Sequence, residues 1–116
     1  MKKIALGLLL LSICTLSCAG FVTGNELQRL GRAHERWNDQ NTSYADIVDG
    51  SRFISYIVGV VDSLENWGIF CLPNSVTAGQ LAAVVMKSLK ENPESWNQPG
   101  DVLVAKSLQI AFPCKK

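Results

Sequence analysis

Few residues in this chain could carry chemistry. Its 116 positions hold one histidine, His34, no Cys-x-x-Cys pair, and no basic stripe interleaved with aromatics. A lone histidine brings neither metal partners nor a nucleophile, so His34 reads as an exposed or partly packed residue on a surface helix. Without a Cys-x-x-Cys pair, redox work has no obvious seat. Formal net charge is +1, from 11 Lys+Arg against 10 Asp+Glu, and nothing offers the electrostatic footprint that nucleic acid requires. Internal repeats, low-complexity tracts and linkers are missing too, which predicts one small domain. No metal or other cofactor is expected.

Long apolar runs are equally scarce. The one at Ile4–Leu16 is shorter than the ~20 residues a membrane-spanning helix needs. Behind the positive start Met1–Lys3 it has the proportions of a secretory leader. Ser17 and Ala19 put small residues where a signal peptidase inspects the chain, so residues 1–19 read as the leader and 20–116 as the folded domain. A rival route would acylate Cys18, but Thr15 stands where a lipoprotein signal wants an apolar residue. Cleavage after Ala19 would remove Cys14 and Cys18 and leave Cys71 and Cys114. In an exported chain such a pair reads as a disulfide, and the periplasm is the expected compartment. Closing a loop of this length is worth ~4 kcal/mol in the chain-entropy model, a large share of the ~5–15 kcal/mol that stabilises a small domain.

What the chain does have is helical periodicity. "TGNELQRLGRAHERW" predicts a first helix, capped by Thr23 or Asn25, with Leu27, Leu30 and His34 on one side. After the polar break "NDQNTS", periodicity runs from Tyr44 to Trp67 in two stripes. Ile47, Ile54, Ile57, Val58, Val61 and Leu64 form one, and Phe53, Tyr56, Val60 and Trp67 the other. A helix apolar on two sides is buried on two sides. It is central in the domain, or central and also paired with a second subunit through Phe53, Tyr56, Val60 and Trp67. Gly59, mid-helix, costs about 1 kcal/mol relative to alanine unless something packs closely there.

Pro73 interrupts the chain, and Thr77-Ala78-Gly79-Gln80 has the form of a capping box opening a third helix. Its inward face would be Leu81, Val84, Val85, Ser88 and Leu89, and Asn92-Pro93 would stop it. "ESWNQPG" reads as a loop and "DVLVAKSLQIAFPC" as the last helix, with Asp101 at its positive end. A Cys71–Cys114 bond would clamp these last two helices into an antiparallel hairpin. The predicted fold is all-α, a compact bundle of four to five helices stapled by one disulfide. Asp62 and Glu65 lie three apart on one face, where solvation outweighs acid–base work as an explanation. Trp37, Trp67 and Trp96 are core or half-core residues unless a partner covers them. Nothing argues for an enzyme.

"GNEL", "YIVGVVD", "CLPNSVTAGQLAAVVMKSL", "NPE" and the closing "AFPC" resemble, in that order, the Rap/Tai family of immunity proteins against type VI secretion amidase effectors. The most specific piece is Cys-x-Pro-x-x-Val-Thr-x-Gly-Gln followed by a terminal Phe-Pro-Cys, and the similarity covers about Thr23 to Cys114. The resemblance implies a small helical periplasmic protein that binds a Cys/His peptidoglycan amidase and blocks it, working as a homodimer that feeds helix and loop segments into the enzyme's clefts. By position, the loop Glu91–Gln98 is the candidate insertion element, with Glu94, Ser95, Trp96 and Asn97 as its effector-binding residues. One departure stands out. Many relatives carry a further cysteine pair tying the first helix to the central one, but "LQRLGRA" and "SRFISYI" contain no cysteine. Two other classes compete with immunity: a small envelope-stress or chaperone-like protein, and an orphan relative without a cognate toxin.

Overall fold

The computed structural model describes residues 22–115. The leader (residues 1–19) and the acylation candidate Cys18 lie outside them. Four α-helices follow one another: α1 (Gly24–Glu35), α2 (Tyr44–Leu64), α3 (Ala78–Glu91) and α4 (Gly100–Ala111). Short 3-10 turns occupy Arg36–Asn38, Glu65–Trp67 and Pro93–Ser95. The all-α expectation holds, and so does the predicted bond between Cys71 and Cys114, whose Cα atoms lie 4.9 Å apart.

Each helix starts where side-chain chemistry lets it start. Thr23 caps α1 through Oγ1, which accepts from the Glu26 amide at 3.4 Å. α2 opens on a reciprocal box: the Asp46 amide donates to Ser43 Oγ at 3.1 Å and the Ser43 amide to the Asp46 carboxylate at 3.4 Å. The predicted box at α3 forms as well, with Gln80 N–H donating to Thr77 Oγ1 at 3.2 Å and Thr77 N–H to Gln80 Oε1 at 2.8 Å. Caps of this kind are typically worth ~1 kcal/mol each. α4 has no side-chain cap; instead the Gly100 amide donates to the Val22 carbonyl at 2.7 Å.

All four helices contribute to one core, in which Leu27, Phe53, Ile57, Val85, Val104 and Leu108 are fully buried. Burying each of these apolar side chains is worth ~1.5–3 kcal/mol. α1 can lie close to α2 and α3 because Gly31 has no side chain: a Cβ there would stand 2.5 Å from Met86 Sδ and 3.1 Å from the Phe53 ring. The two stretches that lack a cysteine pair thus meet by packing, Gly31 in "LQRLGRA" against Phe53 in "SRFISYI". Ion pairs line the outside of this seam: Arg29–Asp49 at 2.6 Å, Arg29–Glu26 at 2.8 Å and Arg52–Asp49 at 3.3 Å.

Three expectations about α2 need revision. Phe53 and Val60 are 0 % and 8 % exposed, so both are occupied by the protomer's own core rather than left for a second subunit. Tyr56 is half-buried, its hydroxyl close to Gly100. Trp67 is 77 % exposed, because the α-helix ends at Leu64 and the 3-10 turn rotates the tryptophan off the stripe. Gly59 has nothing within 4 Å of where its Cβ would sit, so no close approach inside the protomer explains it.

Candidate functional site

The loop between α3 and α4 is short and tied both to the end of α3 and to the start of α1. Pro93–Ser95 form a 3-10 turn, and the Gln98 amide donates to the Ser95 carbonyl at 2.9 Å. Trp96 Nε1–H donates to the Leu89 carbonyl at 2.8 Å, near the end of α3, where the Asn92 amide also donates to it at 3.4 Å. The loop's own carbonyls reach the other way. Trp96 O accepts from the Asn25 amide at 2.8 Å and Gln98 O from the Gly24 amide at 2.9 Å, satisfying orphan donors of α1. That docking needs Gly24, where a Cβ would come within 2.7 Å of the Trp96 backbone.

The four loop candidates therefore separate. Trp96 is half-buried against the core and holds the loop in place; it is not an aromatic at the tip. Ser95 is half-buried beside it, while Glu94 and Asn97 face solvent. A preformed loop of this kind loses little conformational freedom when a partner covers it.

Sequence reasoning missed the surface that continues from this loop. A small depression of about 110 Å³ is lined by Ser88, Asn92, Ser95, Leu103, Lys106 and Ile110. A second of about 230 Å³ adjoins it along α3 and α4, sharing Ser88, Asn92 and Ile110 and adding Val84 and Lys87. A third of about 330 Å³ shares Val84 and reaches Pro73, Val76 and Phe112 at the disulfide corner. Together they run the length of the α3–α4 hairpin. Ile110 stands in the middle, 77 % exposed. A helical wheel gives no signal for it: Ile110 comes seven residues after the buried Leu103, near the same side of α4, and only the packed chain shows that it is left in water.

Other sequence candidates lie elsewhere. His34 is half-buried, its ring 4.7 Å from Trp37 and 5.9 Å from Phe53 between centroids. Trp37 is a strut, donating from Nε1 to the Asp46 carbonyl at 3.0 Å. His34 also borders an open cleft of about 600 Å³ with Gly79, Ala82 and Met86, bridged by the Lys90–Glu35 ion pair. Asp62 and Glu65 are both exposed. Among the described residues no three His, Cys, Asp or Glu side chains come together as metal ligands, and no helix is long and apolar enough to cross a membrane.

Comparison with known families decides the larger question. The family model of the Rap1a immunity proteins matches residues 10–114. The chain belongs to the Rap1a immunity protein family. No curated protein sequence matches it. Membership makes this Rap1a protein an immunity protein directed at a toxin effector, an inhibitor rather than an enzyme. Its disulfide fits an oxidising compartment. Inhibition needs a rigid, complementary surface and no reactive groups of its own, which is consistent with a tied-down loop leading into a groove of mixed polar and apolar lining.

Proposed function

We propose that this Rap1a protein protects its producer by occluding the active site of a type VI secretion peptidoglycan amidase in the periplasm. Residues 1–19 direct export and are removed; residues 20–116 are the acting domain, which pairs with a second copy. The observation that carries the reading is the family match across residues 10–114. The exposed tip of the Glu91–Gln98 loop, with Glu94 and Asn97, enters or covers the amidase cleft, and the α3–α4 groove around Ile110 widens the contact. Trp96 acts from behind by fixing the loop's shape.

The test is a titration of purified type VI amidases with the oxidised protein, following residual peptidoglycan hydrolysis. Stoichiometric loss of hydrolysis with the cognate enzyme supports the proposal, and full hydrolysis in excess protein for every candidate amidase removes it. An Ile110→Asp variant should keep its fold, since the side chain is exposed, and should bind roughly 10–100-fold more weakly, the size expected for one apolar contact near the centre of an interface.

A further inference from the structure

The loop between α3 and α4 hangs partly on the first residues of the folded domain. We infer that residues 22–25 are a strap that holds this loop in its toxin-binding shape, and that Gly24 is the positioning residue of the strap. The inference rests on the function proposed above, in which residues 91–98 meet the amidase. It adds to that reading a set of residues that govern affinity through the loop rather than by touching the enzyme.

Strap and loop run antiparallel. Thr23 pairs with Pro99 in an isolated bridge, framed by the Gly24 amide donating to the Gln98 carbonyl at 2.9 Å and the Gly100 amide donating to the Val22 carbonyl at 2.7 Å. One residue further on, the Asn25 amide donates to the Trp96 carbonyl at 2.8 Å. The next two amides of α1 turn back to Thr23, Glu26 to its Oγ1 at 3.4 Å and Leu27 to its carbonyl at 2.8 Å. The first two amides of the helix are thus directed at the loop. Both glycines of the contact are required for space, not for conformation. Gly24 and Gly100 are buried, and neither has a positive φ. A Cβ on Gly24 would stand 2.5 Å from Leu103 Cδ1, 2.7 Å from Trp96 Cα and 2.8 Å from Trp96 O. One on Gly100 would stand 2.8 Å from the Val22 carbonyl oxygen. The leucine methyl can turn aside, but the Trp96 backbone gives way only if the loop shifts.

The loop depends on this support. Its own bonds, the Ser95 amide to the Asn92 carbonyl at 3.1 Å and the Gln98 amide to the Ser95 carbonyl at 2.9 Å, close local turns without fixing where the loop lies. The Trp96 indole anchors it to α3. The strap anchors the stretch that leads into α4, on either side of the exposed Asn97. A loop that has to be ordered at the moment of binding subtracts the cost of that ordering from the affinity. Loosening the strap therefore weakens toxin binding while every side chain of the loop stays in place.

Two strap variants and one control test this, with amide exchange of the free protein and inhibition of the cognate amidase measured on the same samples. Gly24→Ala pushes on the Trp96 backbone. Asn25→Pro deletes one donor to the loop at a first-turn position, where proline is tolerated, and it keeps the test open if Gly24→Ala folds poorly. Exchange at the Gln98 and Gly100 amides should accelerate about tenfold or more in both. Affinity for the amidase should fall about 10–100-fold in Gly24→Ala and about 3–10-fold in Asn25→Pro. Phe53→Leu, in the core at the α1–α2 seam, should lower the melting temperature and leave both readouts as in wild type. Wild-type affinity in both strap variants overturns the inference and keeps immunity. An affinity loss with unchanged exchange would make the strap a direct contact, and an equal loss in Phe53→Leu would make the effect general loosening; either overturns it as well. A wild-type protein that inhibits no type VI amidase removes immunity, and the inference with it.

Discussion

The two halves of this molecule are held together by different means. The α1–α2 half has no covalent tie: a glycine contact, a buried phenylalanine and a row of exposed ion pairs hold it. The α3–α4 half is closed at one end by a disulfide spanning 43 residues and at the other by a loop docked onto α1. Exposed ion pairs contribute ~0–1 kcal/mol each, whereas a disulfide contributes ~2–4 kcal/mol and fixes a distance. The covalent tie closes the end of the groove away from the loop, and hydrogen bonds to α1 and α3 hold the loop end. The other half relies on packing, which suffices for a scaffold.

Four variants would break or sharpen that contrast. Phe53→Ala removes the ring that joins α1 to α2 and should cost ~3–5 kcal/mol, read as a fall in the denaturant midpoint. Removing the disulfide through Cys71→Ala with Cys114→Ala should cost ~2–5 kcal/mol. In that variant, amide exchange should accelerate first in Gly68–Thr77 and the end of α4, with α1 and α2 less affected. Thr77→Ala, which removes one half of the α3 box, should cost ~1 kcal/mol in the same melt. Arg29→Ala, cutting pairs to both Glu26 and Asp49, should cost less than ~1 kcal/mol and less still in high salt.

Acid should act on the α1–α2 half in a defined window. Asp46 accepts from Arg36 at 3.0 Å and from the Ser43 amide at 3.4 Å. The Arg36 guanidinium, aided by Ser43, holds its carboxyl down to about 2. A carboxyl depressed in the folded state contributes stability that is fully present above its unfolded value and lost as pH falls through the folded one. The wild-type melting temperature should therefore drop between about pH 4 and pH 2, and the drop should be shallower in Asp46→Asn. Equal slopes would mean that other carboxylates set the acid response.

The halves also differed in how legible they were. Local chemistry announced the α3–α4 half: Thr77 and Gln80 three apart, Asn92-Pro93 as a stop, and one remaining cysteine pair. Those signals depend on neighbours in the chain, and each appears where expected. The α2 reading went astray where tertiary contacts decided. Two apolar stripes correctly implied burial on two sides, but α1 with α3 and α4 already cover both, so Phe53 and Val60 needed no second subunit. The Ser43–Asp46 box was hidden by an aspartate where glutamate or glutamine marks the motif. Trp96 was an effector-binding candidate because sequence places it mid-loop; its indole instead donates to the end of α3, a contact that only the packed chain reveals.

The central claim is that toxin recognition belongs to the disulfide-held half, and one measurement addresses it most directly. Amide exchange of the oxidised protein would be compared free and in complex with its cognate amidase. The expected result is slowed exchange across Glu91–Gln98 and along α4 beside Ile110, with the α1–α2 seam unchanged. Protection confined to α1 and the start of α2, with the loop exchanging as freely as before, would contradict it and relocate the binding site to the other half of the molecule.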